Sequence, residues 1–251
     1  MMFYPENQPF KIIQLEEINS TSSYLRMMCE SEKLEEFTTI VAKHQSAGRG
    51  QRGNSWESEA GKNLLFSFVL HPLFLQARNQ FLLSQIVSLA IKEELDTYAT
   101  DFSIKWPNDI YWNEKKICGI LIENDLYGEN IGQSIAGIGI NLNQSTFISN
   151  APNPVSLNQI TGEEYEIPEI LNNILIRVRE YYKMLKENDI STINDHYKNS
   201  IFRKEGFHRY MDTNGEFIAE ITDIETDGKL ILNDENGDMR SYAFKEVQFL
   251  L

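Results

Sequence analysis

The chain has 251 residues, of which 41% are hydrophobic and 24% are charged, a composition typical of one large globular domain or of one domain with a small appendage. Its formal net charge is −14 and its sequence pI is about 4.8. Because nucleic acids and anionic membranes attract proteins with a broad positive field, this charge argues against both as general partners and allows only a local anion pocket.

The first residues show no basic segment followed by an apolar run, which predicts the absence of a secretory signal. No apolar run approaches the roughly 18 residues that a membrane span needs. The two cysteines, Cys29 and Cys118, are too few for a disulfide framework or a metal cluster. These features together predict a cytoplasmic protein.

Helices and strands are predicted in turn up to about residue 186. The first is an amphipathic helix within residues 18–33, for which Ser20 or Thr21 can serve as the N-cap. Pro168 stands at a position favoured for the start of a later helix. The predicted strands are 38–44, 63–70, 102–106, 116–124 and 134–142. The two later predicted helices are 79–98 and 168–186.

From about residue 204 the pattern changes. Asn-Gly or Asp-Gly pairs end at Gly215, Gly228 and Gly237, and short runs rich in β-forming residues lie between them. Such pairs favour hairpins because glycine adopts positive φ without steric cost. We therefore predict two domains, 1–203 and 204–251, of which the second is a small β-barrel.

Residues 47–56, with the sequence AGRGQRGNSW, contrast with the acidic chain around them. No acidic residue occurs between Phe37 and Trp56, whereas Arg49 and Arg52 lie among three glycines. Glycines let the backbone approach a ligand, successive amides can form an anion-binding nest, and a guanidinium suits carboxylate or phosphate. The alternative is a surface loop with solvated arginines. The pattern is neither a Walker loop nor a dinucleotide fingerprint.

A second concentration of polar residues lies in SIKWPNDIYWNEKKICGILIEN, residues 103–124. Pro107 favours an extended residue before it, so Trp106 is predicted to end its strand. Asn108 and Asp109 would then lie in a turn, where both residue types are also common for purely local reasons.

The lysines Lys115 and Lys116 precede the apolar strand of this segment. Two consecutive lysines in a hairpin are usually solvated. Because side chains alternate along a strand, however, Lys116 faces inward if Lys115 faces solvent. Gly119 would then leave room for a ligand beside the strand.

Four motifs, QSAGRGQRGNSW, KWPNDI, KKICGILIE and GIGIN, occur in this order and together resemble the biotin–protein ligases between about Ser20 and Asn141. The resemblance implies an α+β fold, with a mixed sheet and flanking helices similar to class II aminoacyl-tRNA synthetases, followed by a small SH3-like β-barrel. It also implies an ATP-dependent ligase that activates biotin as biotinyl-5′-adenylate. The biotinyl group would then pass to a lysine of a biotin carboxyl carrier protein domain.

The resemblance assigns roles to individual residues. Lys116 and Arg49 would be the catalytic pair, expected to meet around the acyl phosphate, where cations offset developing negative charge. The implied biotin contacts are Ser20, Thr21, Ser22, Gln45, Arg49, Gly50, Gln51, Lys116 and Gly119. The implied ATP contacts are Arg52, Trp56, Asn108, Asp109 and Asn141, with Asp109 also expected to bind Mg²⁺.

Several features depart from the family pattern. Gln51 and Asn54 stand where many members have phosphate-contacting arginines, and Ser22 replaces the usual asparagine. The first motif begins near Ser20, which leaves no room for the N-terminal helix-turn-helix of bifunctional members, so a repressor role and a DNA partner are not expected. A membrane partner is not expected either, and a homodimer stays open. The alternative functions are a lipoate–protein ligase of the same fold and a non-catalytic biotin-responsive regulator.

Overall fold

The computed structural model describes residues 10–50, 55–148 and 153–250. The strands of the first part are β1 (Ile12–Ile18), β2 (Thr39–Gln45), β3 (Leu64–Leu70), β4 (Phe102–Lys105), β5 (Asp109–Trp112), β6 (Lys115–Tyr127) and β7 (Asn130–Ile140). The helices are α1 (Thr21–Ser31), α2 (Phe81–Leu95), α3 (Leu157–Thr161), α4 (Ile167–Lys186) and α5 (Ile190–Asn199). The later strands are β8 (His208–Asp212), β9 (Gly215–Ile224), β10 (Leu230–Asp234), β11 (Met239–Tyr242) and β12 (Gln248–Phe249).

The first seven strands form one mixed sheet in the order β1-β2-β3-β7-β6-β5-β4. β1 and β2 run parallel, and the other neighbours run antiparallel. All seven residues of the central strand β3 are buried, because helices cover both faces of the sheet at this point.

The helices divide between the two faces. Phe68 and Val69 are neighbours on β3 and therefore point to opposite faces. Val69 packs with Leu25 of α1 and Ile135 of β7 in a small cluster, whereas Phe68 belongs to the main core, which also contains most of α2 and α4. The α1 side thus has the thinner cover, and it is on this side that the candidate site lies.

A second sheet has the order β11-β10-β9-β8-β12. Gly215, Gly228 and Gly237 all have positive φ, as their turns predict. The main core continues through both sheets and includes Tyr210 and Leu230 of the second one. The predicted division at residue 204 stays a prediction, although the second sheet begins four residues later, at His208.

The sequence patterns predicted many of these elements. Ser20 is the N-cap of α1, Pro168 lies in the first turn of α4, and the predicted α+β fold is confirmed. β1, β5, α3, α5, β8 and β12 were not predicted.

The turn after β4 corrects two expectations. Asp109 does not lie in the turn but begins β5, where it pairs with Lys105 and Gly119. Trp106 does not end β4, since the strand stops at Lys105 and a cis peptide bond joins Trp106 to Pro107. No helix of the described residues is both long and apolar enough to cross a membrane.

Candidate active site

Three glycines on the α1 side of the large sheet leave a strip of backbone without side chains, and this strip is here called the glycine trough. Gly119 pairs with Gly139 across β6 and β7, and Gly137 lies two residues from Gly139 on the same face. A Cβ on Gly137 would lie 3.3 Å from Cβ of Ser22 and 3.4 Å from Oγ of Ser67. The neighbouring side chains therefore lie directly against the backbone of these glycines.

At one end of the trough, neutral polar side chains form two hydrogen-bonded groups, here called the polar end: Thr21 with Gln45 and Ser67, and Ser20 with Ser22. The Thr21 backbone N–H donates to Gln45 Oε1 at 2.7 Å, and Thr21 Oγ1 lies 3.1 Å from the same oxygen. Thr21 Oγ1 also lies 2.7 Å from Ser67 Oγ, and the hydroxyls of Ser20 and Ser22 are 3.0 Å apart. The structure therefore brings the four predicted biotin contacts Ser20, Thr21, Ser22 and Gln45 together.

Ser67 belongs to the polar end but was missed by the sequence analysis. It is fully buried in the middle of β3, and Gly137 is its pairing partner. The signal was a single hydroxyl inside the apolar run LLFSFVL. A buried hydroxyl needs a hydrogen-bond partner, so its position in a core strand already implied a polar neighbour.

At the other end of the trough lie charged side chains, and the charged end is defined here as Lys116, Asp109 and Trp56. Lys116 Nζ lies 2.8 Å from Asp109 Oδ2, and their side chains are 29% and 25% exposed. Nζ also lies 5.8 Å from the centre of the Trp56 ring. Lys115 is exposed, so the prediction that Lys116 faces inward while Lys115 faces solvent is confirmed.

A β-bulge gives Lys116 this direction. Asp109 pairs with Gly119 and Ile110 with Cys118, but Tyr111 pairs with Lys116, so Ile117 is an extra residue in β6. Strict alternation from Gly119 would place Lys116 on the opposite face of the sheet. Because of the bulge, Lys116 lies on the face of the glycine trough, with Cε 3.4 Å from the position of a Cβ on Gly119.

The space beside Gly119 is occupied by Trp56. A Cβ on Gly119 would lie 2.9 Å from Cζ3 of Trp56, and one on Gly139 would lie 2.5 Å from Cε2. The indole therefore lies directly on the backbone of both strands. Gly119 leaves room beside its strand, as expected, but the side chain of Trp56 occupies that room. Trp56 Nε1 is buried and has no hydrogen-bond partner among the described residues.

The two asparagines predicted to contact nucleotide hold the backbone around the charged end. Asn108 Nδ2 donates to the carbonyl of Ile120, whose N–H donates back to the Asn108 carbonyl at 3.2 Å. Asn141 Nδ2 donates to the Val155 carbonyl at 3.1 Å, while its Oδ1 is buried without a partner among the described residues. Their contacts with nucleotide stay predictions.

Arg49 lies away from Lys116. Its guanidinium donates to Glu123 Oε1 at 2.7 Å and to Ser23 Oγ at 3.3 Å, so it bridges β6 and the first turn of α1 near the polar end. Gly119 and Glu123 are four residues apart, which is about 13 Å along a strand. The structure thus does not bring the expected catalytic pair together.

The glycine-rich loop is closed at its base by a β-bridge between Arg49 and Ser55. Gly50 is half-buried next to this bridge. Gln51, Arg52 and Asn54 lie outside the described residues.

Lys105 is a further cation near this end that the sequence analysis did not single out. It pairs with Asp109 across β4 and β5, and its Nζ donates to Tyr111 Oη at 3.0 Å. Burial lowers the pKa of Lys105, the carboxylate of Asp109 opposes this effect, and Lys116 and Arg203 add to it. Burial, followed by the charge of Asp109, raises the pKa of Tyr111.

No group of three or more His, Cys, Asp or Glu side chains in the described parts of the chain could hold a metal ion. Asp109 is a single carboxylate that already contacts Lys116. Mg²⁺ is commonly held by one or two carboxylates together with the phosphates of a substrate. The expected Mg²⁺ site at Asp109 would therefore require triphosphate oxygens as further ligands.

Comparisons with known proteins agree with this geometry. The model of the Biotin/lipoate A/B protein ligase family matches residues 15–141, just over half of the chain. The bifunctional ligase/repressor BirA of Bacillus subtilis is 31% identical over 215 residues, which cover 83% of this chain and 65% of that protein. The biotin–[acetyl-CoA-carboxylase] ligase of Paracoccus denitrificans is 34% identical over 140 residues, which cover 53% of this chain and 58% of that protein.

A solved structure extends the likeness over nearly the whole chain. The biotin protein ligase of Aquifex aeolicus, in complex with biotin and ATP, superposes with a TM-score of 0.79 and 27% identity, covering 96% of this chain and 99% of that one. The match to the bifunctional relatives spans about 65% of their length. The chain therefore belongs to the biotin/lipoate A/B protein ligase family.

Proposed function

We propose that the chain activates biotin with ATP as biotinyl-5′-adenylate and transfers the biotinyl group to a lysine of a biotin carboxyl carrier protein domain. The observation that carries this proposal is the single trough that joins the neutral polar end to a lysine–carboxylate pair. The Aquifex aeolicus ligase, which has the same fold over its whole length, is described with biotin and ATP bound.

The polar end suits the uncharged ring of biotin. A ureido group offers two N–H donors and one carbonyl acceptor, and hydroxyls can both donate and accept. Thr21 and Gln45 present such groups within hydrogen-bonding distance of each other. With the ring at the polar end, the acidic tail of biotin extends along the trough towards Lys116, the cation at the opposite end.

The charged end suits the reaction between carboxylate and triphosphate. The biotin carboxylate attacks the α-phosphorus of ATP, one P–O bond forms, and pyrophosphate leaves. Negative charge concentrates on the phosphoryl oxygens in this step, and a positioned ammonium offsets it. Lys116 supplies the ammonium, and Asp109 orients it through the 2.8 Å contact. Asp109 would be the protein carboxylate that holds the Mg²⁺ of the ATP substrate, and the ion would offset charge on the polyphosphate.

Nucleotide and loop residues complete the charged end. Trp56 offers an aromatic face to adenine, and Oδ1 of Asn141, which has no partner in the described part of the chain, can accept a bond from an adenine amino group. The resemblance assigns Gly50 and Gln51 to biotin and Arg52 to ATP, and contact of these residues with the adenylate would help to keep water from the mixed anhydride. Arg49 acts at the polar end, where its bridge from Glu123 to Ser23 closes one side of the trough.

In the second step the amine of the acceptor lysine attacks the acyl carbon of the adenylate. An amide bond forms, the acyl–phosphate bond breaks and AMP leaves with the electron pair. The neutral amine of the acceptor lysine must reach the acyl carbon at the charged end. This requirement favours one specific lysine of a carrier domain as the acceptor.

Intact mass measurement tests the proposal. The protein is incubated with ATP, Mg²⁺, biotin and an apo carrier domain, and we expect the carrier to gain the mass of one biotinyl group. A parallel reaction with lipoate and a lipoyl acceptor domain addresses the second substrate that the family includes. If only the lipoyl acceptor domain were modified, the proposed substrate, biotin, would be wrong. If neither acceptor domain were modified, the proposed ligase activity would be wrong.

A further inference from the structure

The turn between β4 and β5 is attached to the second sheet, a name that from here on includes the turns between its strands. Trp106 is 4% exposed, and its Nε1–H donates to the carbonyl of Gly228 at 2.9 Å. Its ring also meets Phe244 edge-on at a centroid distance of 6.2 Å. Gly228 and Phe244 both follow His208, so these contacts join parts of the chain more than a hundred residues apart.

The acceptor of this bond is itself fixed. Gly228 has a φ of +92°, and a Cβ on it would lie 2.7 Å from Cγ of Phe81, so this backbone packs directly on the first turn of α2. Phe81 meets Tyr197 edge-on at 5.6 Å, and Tyr197 Oη donates to the Pro107 carbonyl at 3.3 Å. Two separate contacts therefore hold the turn, one at the Trp106 indole and one at the Pro107 carbonyl.

The same turn leads directly to the charged end. Asn108 exchanges hydrogen bonds with the backbone of Ile120, and Asp109, the next residue, contacts Lys116. A displacement of the turn would therefore move the carboxylate that orients the ammonium. The contacts run without interruption from Gly228 of the second sheet to Lys116.

The second sheet also covers the other neighbour of the turn. Lys105, which directly precedes Trp106, has Nζ 5.4 Å from the centre of the Phe249 ring on β12. The nearby Arg203 donates to the carbonyl of Leu250 at 2.9 Å. The second sheet thus contacts the chain at both Lys105 and Trp106, immediately before the residues of the charged end.

We propose that Trp106 is a positioning residue through which the second sheet sets the contact between Asp109 and Lys116. On this account the second sheet contributes to biotin activation without touching either substrate. The expected change in kinetics rests on the proposed function. The expected change in the contact between Asp109 and Lys116 rests on the geometry alone.

The test compares two indoles that make the same kind of bond. Trp106→Phe removes the N–H that reaches the second sheet and keeps an aromatic ring. Trp112→Phe is the matched control, because Trp112 Nε1 donates at 3.1 Å to the carbonyl of Thr100, which precedes β4. Biotin-dependent pyrophosphate–ATP exchange is measured for both, together with biotin affinity by calorimetry.

We expect Trp106→Phe to lower kcat about tenfold, since a small misplacement of a catalytic group is costly, and to leave the biotin affinity unchanged. Trp112→Phe should stay close to the wild type in both. Phe244→Leu weakens the ring contact with Trp106 and changes only the second sheet, so it should also lower kcat. This variant replaces Trp106→Phe in the test if Trp106→Phe does not fold. Equal kcat values for Trp106→Phe and Trp112→Phe would overturn the inference, and so would a loss of biotin affinity that accounts for the change.

A crystal structure of Trp106→Phe separates this inference from the proposed function. We expect the distance between Lys116 Nζ and Asp109 Oδ2, 2.8 Å in the wild-type structure, to lengthen or the contact to break. An unchanged contact would overturn the inference even if the wild type is an active ligase. A wild type without exchange activity would overturn the proposed function, while the crystal structure would still decide the role of Trp106.

Discussion

The two ends of the glycine trough differ in charge, in burial and in how far their polar groups are already hydrogen-bonded. At the polar end, Ser20, Thr21, Ser22 and Ser67 are at most 5% exposed, and their hydroxyls already bond to one another or to Gln45. At the charged end, Lys116 and Asp109 keep between a quarter and a third of their side chains exposed. The polar end is thus a buried set of neutral side chains that already bond to one another, whereas the charged end is an ion pair in contact with water.

The difference separates two tasks in space. Neutral hydrogen-bonding groups can be buried and fixed at little cost once they satisfy each other. Charges are expensive to bury, and they act most strongly only when water has been excluded from them. We therefore expect substitutions at the polar end to change biotin affinity and substitutions at the charged end to change the rate of activation. The predictions below test this separation.

The largest effect is expected from Lys116→Ala. Removing the ammonium that faces the transferring phosphoryl group should lower biotin-dependent pyrophosphate–ATP exchange by about 10²–10³-fold, the usual cost of one preorganised group. Lys115→Ala is the matched control, because the neighbouring lysine is exposed and lies on the other face. Exchange by Lys116→Ala within a few fold of Lys115→Ala would remove Lys116 from the mechanism.

Ser67→Ala should act at the polar end alone. It removes the 2.7 Å bond to Thr21 Oγ1 and leaves a buried hydroxyl with one partner fewer. We expect biotin affinity to fall about tenfold in calorimetry, while the KM for ATP stays unchanged. Ser88→Ala is the control, since Ser88 is fully buried in α2 and its Oγ has no partner among the described residues. Equal biotin affinities for the two variants would exclude Ser67 from the polar end.

Gly139→Ala should narrow the trough where Trp56 lies. The new Cβ would be 2.5 Å from Cε2 of Trp56, so the indole cannot keep its place. We expect the KM for ATP to rise several-fold in exchange kinetics, with a smaller change in biotin affinity. Gly132→Ala, on the same strand but beside the exposed Tyr127, is the control. A change in biotin affinity larger than the change in KM for ATP would contradict the separation of the two ends.

The smallest effect concerns a carboxylate outside both ends. Burial opposes the ionisation of Glu36, but hydrogen bonds from Tyr182, Lys186 and the His71 backbone outweigh it and lower its pKa below the ordinary 4.5. A lowered pKa in the folded state stabilises the fold above pH 4.5, and this stability is lost as the pH falls through the lowered value.

Urea unfolding at neutral and acidic pH measures this loss. We expect Glu36→Gln to be less stable than the wild type at pH 7 and to show a weaker loss on acidification, with exchange kinetics unchanged. An identical pH dependence of stability for the two proteins would contradict the assigned role of Glu36.

Local signals in the sequence predicted part of this site. Ser20 caps α1 because the hydroxyl precedes a helical pattern, and β3 was predicted from a run of apolar residues. The inward direction of Lys116 was predicted from alternation between neighbours and is confirmed. These features depend on residues close to one another along the chain.

Features that depend on distant parts of the chain were not predictable in this way. The bulge at Ile117 is visible only in the pairing of β5 with β6. The contact of Arg49 with Glu123 joins residues 74 positions apart, and Trp56, which lies between β2 and β3, meets Gly139 of β7. Single-strand alternation and turn propensity contain no information on such contacts, which is why Arg49 was expected beside Lys116.

The most direct test of the account is a crystal structure with a non-hydrolysable analogue of biotinyl-5′-adenylate. The account predicts that the ureido ring bonds to Thr21 and Gln45 at the polar end, while Lys116 Nζ contacts an oxygen of the acyl-phosphate group. A ureido ring bound beside Lys116, or a phosphate group bound at Ser67, would contradict it.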